Sequence, residues 1–410
     1  MVSTGEVFQW MDLRRPTCQP TGDPHQWIGA MSTLGYFDYL GSSPLDPRVR
    51  DVMVAAWDHP GNSGAQDHAF GWRAAAAVEA ARRKVAEALG AEAEEITFTS
   101  GATEANNLLM LGAARAAPEG RRRILVSSIE HKSVLSPAQV LAGQGYDLAY
   151  VATDATGRVD PDALRAHLDP SVAVVSIMAV NNEIGVIQNV EALSAVVTAS
   201  GAFFHVDATQ APNAMAVDLH AWGCDGASFS AHKLYGPGGI GAAYVSEAAP
   251  WRPLPLLSGG GQEEGLRAGT VPHVLCSGFA TACELLQSQG AEDRAHAEHL
   301  RAKVLAVLQG RFPDLQVTAA RAPRHPGCLH VRLPGVDAAD LLLRLQPTVA
   351  AAIGSACTSG QIGTSHVLRS LGWDDPAAGE ALRLSVGRFT TDADVAVLDH
   401  ALSALWADAA

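Results

Sequence analysis

The sequence predicts an α/β protein: a mainly parallel sheet covered by helices on both faces, with a smaller α+β domain after it. Three observations carry that reading. Strand-like and helix-like stretches alternate from about residue 72 to residue 245. Small and polar residues gather just after the strand-like stretches, where open parallel sheets place their ligands. A Pro-rich connector, TAARAPRHPGCLHVRLPGV, separates a long helical stretch from the C-terminal part of the chain.

In chain order, WRAAAAVEAARRKVAEALG is Ala-rich with a charged face and stops at Gly90, which predicts a helix with a glycine C-cap. EEITFTSGATEANNLLMLGAARAA runs from a β-branched strand through Ser-Gly into a second helix. RILVSSIE reads as a strand, with a helix from about Ser133. VAVVSIMAVNN comes next as a strand, then a helix near 190 to 200, then strands in AFFHVDATQ, GASFSA and GIGAAYV. A helical stretch spans about 272 to 309. The expected division is an N-terminal extension over 1–35, a large domain over 36–290 whose first residues pack with the small domain, and a small domain over 291–410. Met31 offers an alternative start within the extension.

Composition narrows the function. The 410 residues are 48% apolar, enough to bury a large core, and 43 acidic against 29 basic residues give a net charge of −14. That balance argues against a surface built to hold a phosphate backbone, so direct nucleic-acid binding is not expected. Apolar runs fall far short of the roughly 20 residues of a membrane span. No secretion signal is read at the N-terminus. Six cysteines, at 18, 224, 276, 283, 328 and 357, show neither a C-x-x-C pair nor metal-ligand spacing, and a reducing cytoplasm is the expected location. Only Lys84, Lys132, Lys233 and Lys303 are lysines, so a lysine in an unusual setting carries weight.

Four segments have chemical character. SGATEANN, 100 to 107, puts small residues at a helix start, where backbone N–H groups and the positive dipole end suit a phosphate; read alone, it fits an ordinary helix cap as well. HVDATQA sets Asp207 after a buried-looking strand, where a carboxylate needs a cationic partner or serves as a helix N-cap. SFSAHKLYGPGGIG sets Lys233 at a strand end beside glycines, in a solvated position or as a desolvated amine able to condense with a carbonyl. GSACTSGQIG surrounds Cys357 with small polar residues and with Gly354, Gly360 and Gly363, unlike a cysteine packed as a small hydrophobe.

The ordered series TSGATEANN, EHKSV, NNEIGV, HVDATQ, SAHKLYGPGG, GGGQEEGLRAGT, GSACTS and LRLSVGRFTT closely resembles the pyridoxal-phosphate-dependent cysteine desulfurases of the class V aminotransferase-like family, from about residue 36 to the end. The match is to the branch with the longer cysteine loop. The resemblance implies a fold type I enzyme with a seven-stranded sheet and pyridoxal 5'-phosphate as cofactor. It implies Lys233 as the Schiff-base lysine, Asp207 as the partner of the pyridine nitrogen, Gln210 at the ring hydroxyl, and His131 stacked on the ring, where it moves protons to or from sulfur. Ala102, Thr103, Ser230 and His232 correspond to phosphate binders. Thr270 corresponds to a threonine contributed to the neighbouring subunit of a homodimer. Asn182 faces ring and substrate, and Asn62 and Arg383 correspond to residues binding the substrate carboxylate. Read alone, His131 fits a core histidine, Asn62 a turn and Arg383 a surface ion pair.

On that resemblance, L-cysteine is the substrate, the Cys357 thiolate takes its sulfur as a persulfide, and alanine is released. The sulfur then passes to an acceptor protein, for iron–sulfur cluster assembly or another pathway. The GTSHVLRSLG variant and the arginine-over-lysine bias resemble the cysteine desulfurases of bacterial DNA phosphorothioation. The sequence departs from the family at Glu264, where an arginine is common, and after Cys357, where a Glu-Pro pair is missing. Alternatives are a class V aminotransferase or selenocysteine lyase without an essential thiol, and a non-catalytic scaffold in a sulfur-transfer complex.

Overall fold

The computed structural model describes residues 34–354 and 365–407. The expected extension lies almost wholly outside the described residues, as do Cys357, Gly360 and Gly363. The expected fold class is found. A seven-stranded sheet contains β2 (Ile96–Thr99), β3 (Arg123–Ser127), β4 (Asp147–Val151), β5 (Val172–Ser176), β6 (Phe203–Asp207), β7 (Gly226–Ser230) and β8 (Gly241–Val245). Their order is β2-β8-β7-β6-β5-β3-β4, and only β8 runs antiparallel to its neighbours.

Strands β5, β6 and β7 are buried along their whole length, which is why they read as continuous apolar or small-residue runs rather than as alternating ones. The helix Ala69–Leu89 packs Ala74, Val78, Ala81, Val85 and Leu89 inward and ends at Gly90 with φ +66°, a left-handed cap that glycine adopts without Cβ strain. Several elements were not named by the sequence reading, two of them in the large sheet and its approaches. The edge strand β4 is half exposed, and the helix Pro47–Trp57 is announced by an Asp46 N-cap and a proline at its first position.

A second core forms around an antiparallel sheet of β10 (Cys328–Arg332) between β9 (Gln316–Val317) and β12 (Ala381–Ser385). The 39-residue helix His273–Arg311 joins the two cores. Its first half buries Val274, Phe279 and Cys283 against the large sheet, and its second half buries Leu300, Val304 and Leu308 in the smaller core. Near the other end of the chain, β1 (Gly35–Tyr36) pairs in parallel with β11 (Val349–Ala350), and Phe37 enters the smaller core. Residues 38–43 are thereby carried back across the C-terminal ends of the large-sheet strands. Among the described residues, no helix is long and apolar enough to cross a membrane.

Candidate active site

A cleft of about 620 Å³ opens where β2, β3, β5, β6 and β7 end, closed from the opposite side by residues 36–42 and by Arg383 of β12. It brings together Ala102, Thr103, His131, Asn182, Asp207, Gln210, Ser230, His232, Lys233 and Arg383. Asn62 and Thr270 are not among its lining residues. Both are exposed on their own chain, and Asn62 Oδ1 accepts from the Gly64 N–H at 2.9 Å within its turn. Cys357 lies outside the described residues, between Gly354 and Ser365.

The helix Ala102–Ala116 points its N-terminus at the cleft. Its N-cap is Gly101, with φ +145° and no side-chain cap. Of the two readings of SGATEANN, the side-chain cap is therefore absent, and the first helical N–H groups remain available to an anion. The nearest atom to a Cβ added at Gly101 would be Ser230 Oγ at 3.5 Å, so glycine is required there by its φ rather than by crowding. His232 stands beside this end, and burial together with the neighbouring Lys233 charge pushes its imidazole down to about 4. Its Nδ1 lies 3.1 Å from Ser42 Oγ.

Asp207 ends β6 and is 4% exposed. Its Oδ1 accepts from the Thr209 N–H at 3.0 Å and hydroxyl at 2.5 Å, and its Oδ2 accepts from Asn106 Nδ2 at 2.9 Å. Asp207 therefore closes its own turn and does not cap the helix Ala211–Ala214, whose N-cap is Gln210. Beneath it on the same strand, buried His205 bridges Ser176 of β5 and Ser228 of β7 at 2.8 and 3.0 Å. Burial holds that imidazole down at about 4 against the pull of Asp207.

Lys233 Nζ donates to the carbonyls of Leu40 at 2.5 Å and Gly41 at 2.7 Å, and Gln210 Nε2 donates to Leu40 O at 2.9 Å. The β1–β11 pairing is thus what brings acceptors to the lysine. Arg383 is 2% exposed. Its Nη1 donates to Asn182 O at 2.6 Å and its Nη2 pairs with Asp38 Oδ1 at 2.6 Å, while Nε is buried without a hydrogen bond. The guanidinium is held as a fork facing the cleft. Glu130, next to His131, is fully buried. Its Oε1 accepts from Ser127 Oγ at 2.5 Å and from the Met178 N–H at 2.7 Å, and burial pushes the carboxyl up to about 8.

The sequence reading missed Asp38, Asn106 and Ser133. Asn106 lies within SGATEANN and Ser133 within EHKSV, and the available signal was a polar residue on the buried face of a helix. The departure at Glu264 is answered by Arg252, which pairs with it at 2.9 Å on the surface. The altered segment after Cys357 begins its described part with Ser365 capping the helix His366–Ser370, and His366 Nε2 lies 2.8 Å from Glu130 O.

These residues fit pyridoxal phosphate. An uncapped helix start with a left-handed glycine suits a dianion, a buried carboxylate suits a protonated ring nitrogen, and an amine stands in the same cleft. Residues 35–398 match the family model described as aminotransferase class-V. The chain is 37% identical over 372 residues to cysteine desulfurase IscS of Rickettsia akari, covering 90% of each chain. A solved NifS-like protein aligns with TM-score 0.83 and 33% identity over 90% of this chain and 98% of its own. The structure of DndA from Streptomyces lividans aligns with TM-score 0.72 and 35% identity over 84% and 97%. The chain belongs to the class-V aminotransferase family, in its branch of pyridoxal-phosphate-dependent cysteine desulfurases.

Proposed function

We propose that the cleft takes sulfur from L-cysteine, leaves L-alanine, and passes the sulfur through a persulfide on Cys357 to an acceptor protein. The observation that carries this reading is the convergence of the Lys233 amine, the Asp207 carboxylate and the Arg383 guanidinium on one cleft beside an uncapped helix N-terminus.

In this reading the Ala102–Thr103 end of the helix, with Ser230 and His232, holds the cofactor phosphate. Asp207 faces the ring nitrogen, Gln210 the ring hydroxyl, and His131 and Asn182 the ring. Pyridoxal phosphate supplies an aldehyde that condenses with amines and a ring that accepts electrons from the substrate carbon. Arg383 grips the substrate carboxylate, and the freed Lys233 amine takes the Cα proton. The Cys357 thiolate attacks the substrate sulfur. An S–S bond forms as the C–S bond breaks, one proton is delivered to the carbon that lost the sulfur, and the proton held by Lys233 returns to Cα to complete alanine.

Two units, 36–290 and 291–410, share the work, with the 1–35 extension outside it. A homodimer completes the site. Asn62 and Thr270 stand exposed away from their own cleft, and Trp57, Phe70 and Trp72 are about 60% exposed, which supports a covered face where both residues reach a neighbour's cleft. The cytoplasm is the proposed location. The pathway served is iron–sulfur cluster assembly or DNA phosphorothioation, the first supported by likeness to IscS and the second by likeness to DndA. A net charge of −14 supports handover to a protein rather than contact with DNA.

Cys357→Ser tests the activity: it should keep the cofactor's absorbance and lose sulfide release from L-cysteine. Sulfide release at the parent rate would contradict the assignment and favour chemistry without an essential thiol. Recovery of a persulfide-acceptor protein from the host tests the pathway, and sedimentation tests the dimer.

A further inference from the structure

We propose that Asn106 and Ser133 are positioning residues that fix the His131 ring as its Nε2–H tautomer, so that the cleft meets a hydrogen-bond donor rather than a base. The contacts form a chain whose direction is set at one end. Asp207 Oδ2 faces Asn106 at 2.9 Å, and the nitrogen side of that amide must face it, because the oxygen side would set two acceptors together. The second Asn106 N–H then reaches Ser133 Oγ at 2.8 Å. Ser133 Oγ, already accepting, has its own proton to give, and His131 Nδ1 lies 2.8 Å away. The Ser133 backbone N–H, which can only donate, points at the same Nδ1 at 3.1 Å.

A ring nitrogen facing two donors carries a lone pair, so the proton of the neutral ring sits on Nε2. Among the described residues Nε2 makes no hydrogen bond, and His131 lines the cleft. Asn106 is fully buried, and its Oδ1 has no hydrogen-bond partner. The fold leaves that acceptor unsatisfied in order to keep both amide protons pointed along the chain. Asp207 and His131 are thus tied together by two side chains, Asn106 buried behind the cleft and Ser133 at its wall.

What His131 does with its Nε2–H rests on the reading of the cleft as a cofactor and cysteine site. There it donates to negative charge on the departing sulfur, and removal of the first substrate proton falls to Lys233. The tautomer itself stands on geometry alone.

Neutron diffraction from deuterated crystals, with and without pyridoxal phosphate, reads the tautomer directly. Deuterium on Nε2 and none on Nδ1 is expected in both; deuterium on Nδ1 overturns the proposal. If instead the cofactor fails to join Lys233 while deuterium sits on Nε2, the cofactor reading fails and the tautomer survives. In the holoenzyme, Ser133→Ala should lower kcat about tenfold, the scale of one hydrogen bond, with KM unchanged, and Ser133→Thr should restore it. Equal loss in both variants would make Ser133 merely structural, and no loss in Ser133→Ala would remove it from positioning.

Discussion

Glu130→Gln should flatten the stability of this protein above neutral pH. Burial raises the Glu130 carboxyl from 4.5 to about 8, with Asp207 adding to the rise and hydrogen bonds from Ser127 and the Met178 N–H opposing it. The folded state therefore keeps a proton that the unfolded chain has released, and stability falls as pH rises toward about 8. Between about pH 6.5 and about pH 8.5 the unfolded carboxylate is fully ionised while the folded one titrates, which amounts to about 2 kcal/mol lost. Against a total stability of roughly 5–15 kcal/mol this is readily measured. Glutamine keeps an oxygen for Ser127 and Met178 and cannot ionise, so the variant isolates the titration. Urea unfolding of both proteins across that window should show a wild-type decline about 2 kcal/mol steeper than that of the variant. Parallel curves would mean that Glu130 is ionised inside the fold, and the burial argument would fail.

Acid should act through histidines. Burial depresses His205 to about 4 and His325 and His330 to about 3. The stability they contribute is present above about pH 6.5 and is lost as pH falls toward those values. With His232, also held down at about 4, unfolding near pH 5 should take up about two protons net of those released by Glu130 and by Asp225, which burial raises to about 6, and calorimetry in buffers of different ionisation enthalpy would detect uptake near zero as a contradiction. Glu263→Ala should cost about 3 kcal/mol, because Arg82 is nearly buried and both its Nη atoms donate to Glu263 at 2.8 Å; a shift in urea stability below about 1 kcal/mol would contradict this. Asp38→Asn should raise KM for L-cysteine about fivefold with little change in kcat, since Arg383 Nη2 loses its charged anchor. An unchanged KM would place the aim of Arg383 elsewhere.

The interior of the sheet was legible because its strands carry their burial in their composition: VAVVS and FFHVD are buried at every position. Strand β4, DLAYV, was not legible, because an edge position leaves Asp147 and Tyr150 exposed and gives no apolar run. Motifs at strand ends marked most of the cleft, since those residues are local in sequence. The contacts that orient them were hidden by distance along the chain. Asp38 meets Arg383 across 345 residues, Asn106 meets Asp207 across 101, and no periodicity records either pairing. The same holds for the Leu40 and Gly41 carbonyls on Lys233, which depend on β1 pairing with β11.

Borohydride reduction of the protein loaded with pyridoxal phosphate, followed by peptide mass spectrometry, asks directly where the cofactor is joined. A pyridoxyl group on the peptide containing Lys233, and on no peptide containing Lys84, Lys132 or Lys303, is the predicted result. A label on any of those three, or no stable label at all, would contradict the account of this cleft.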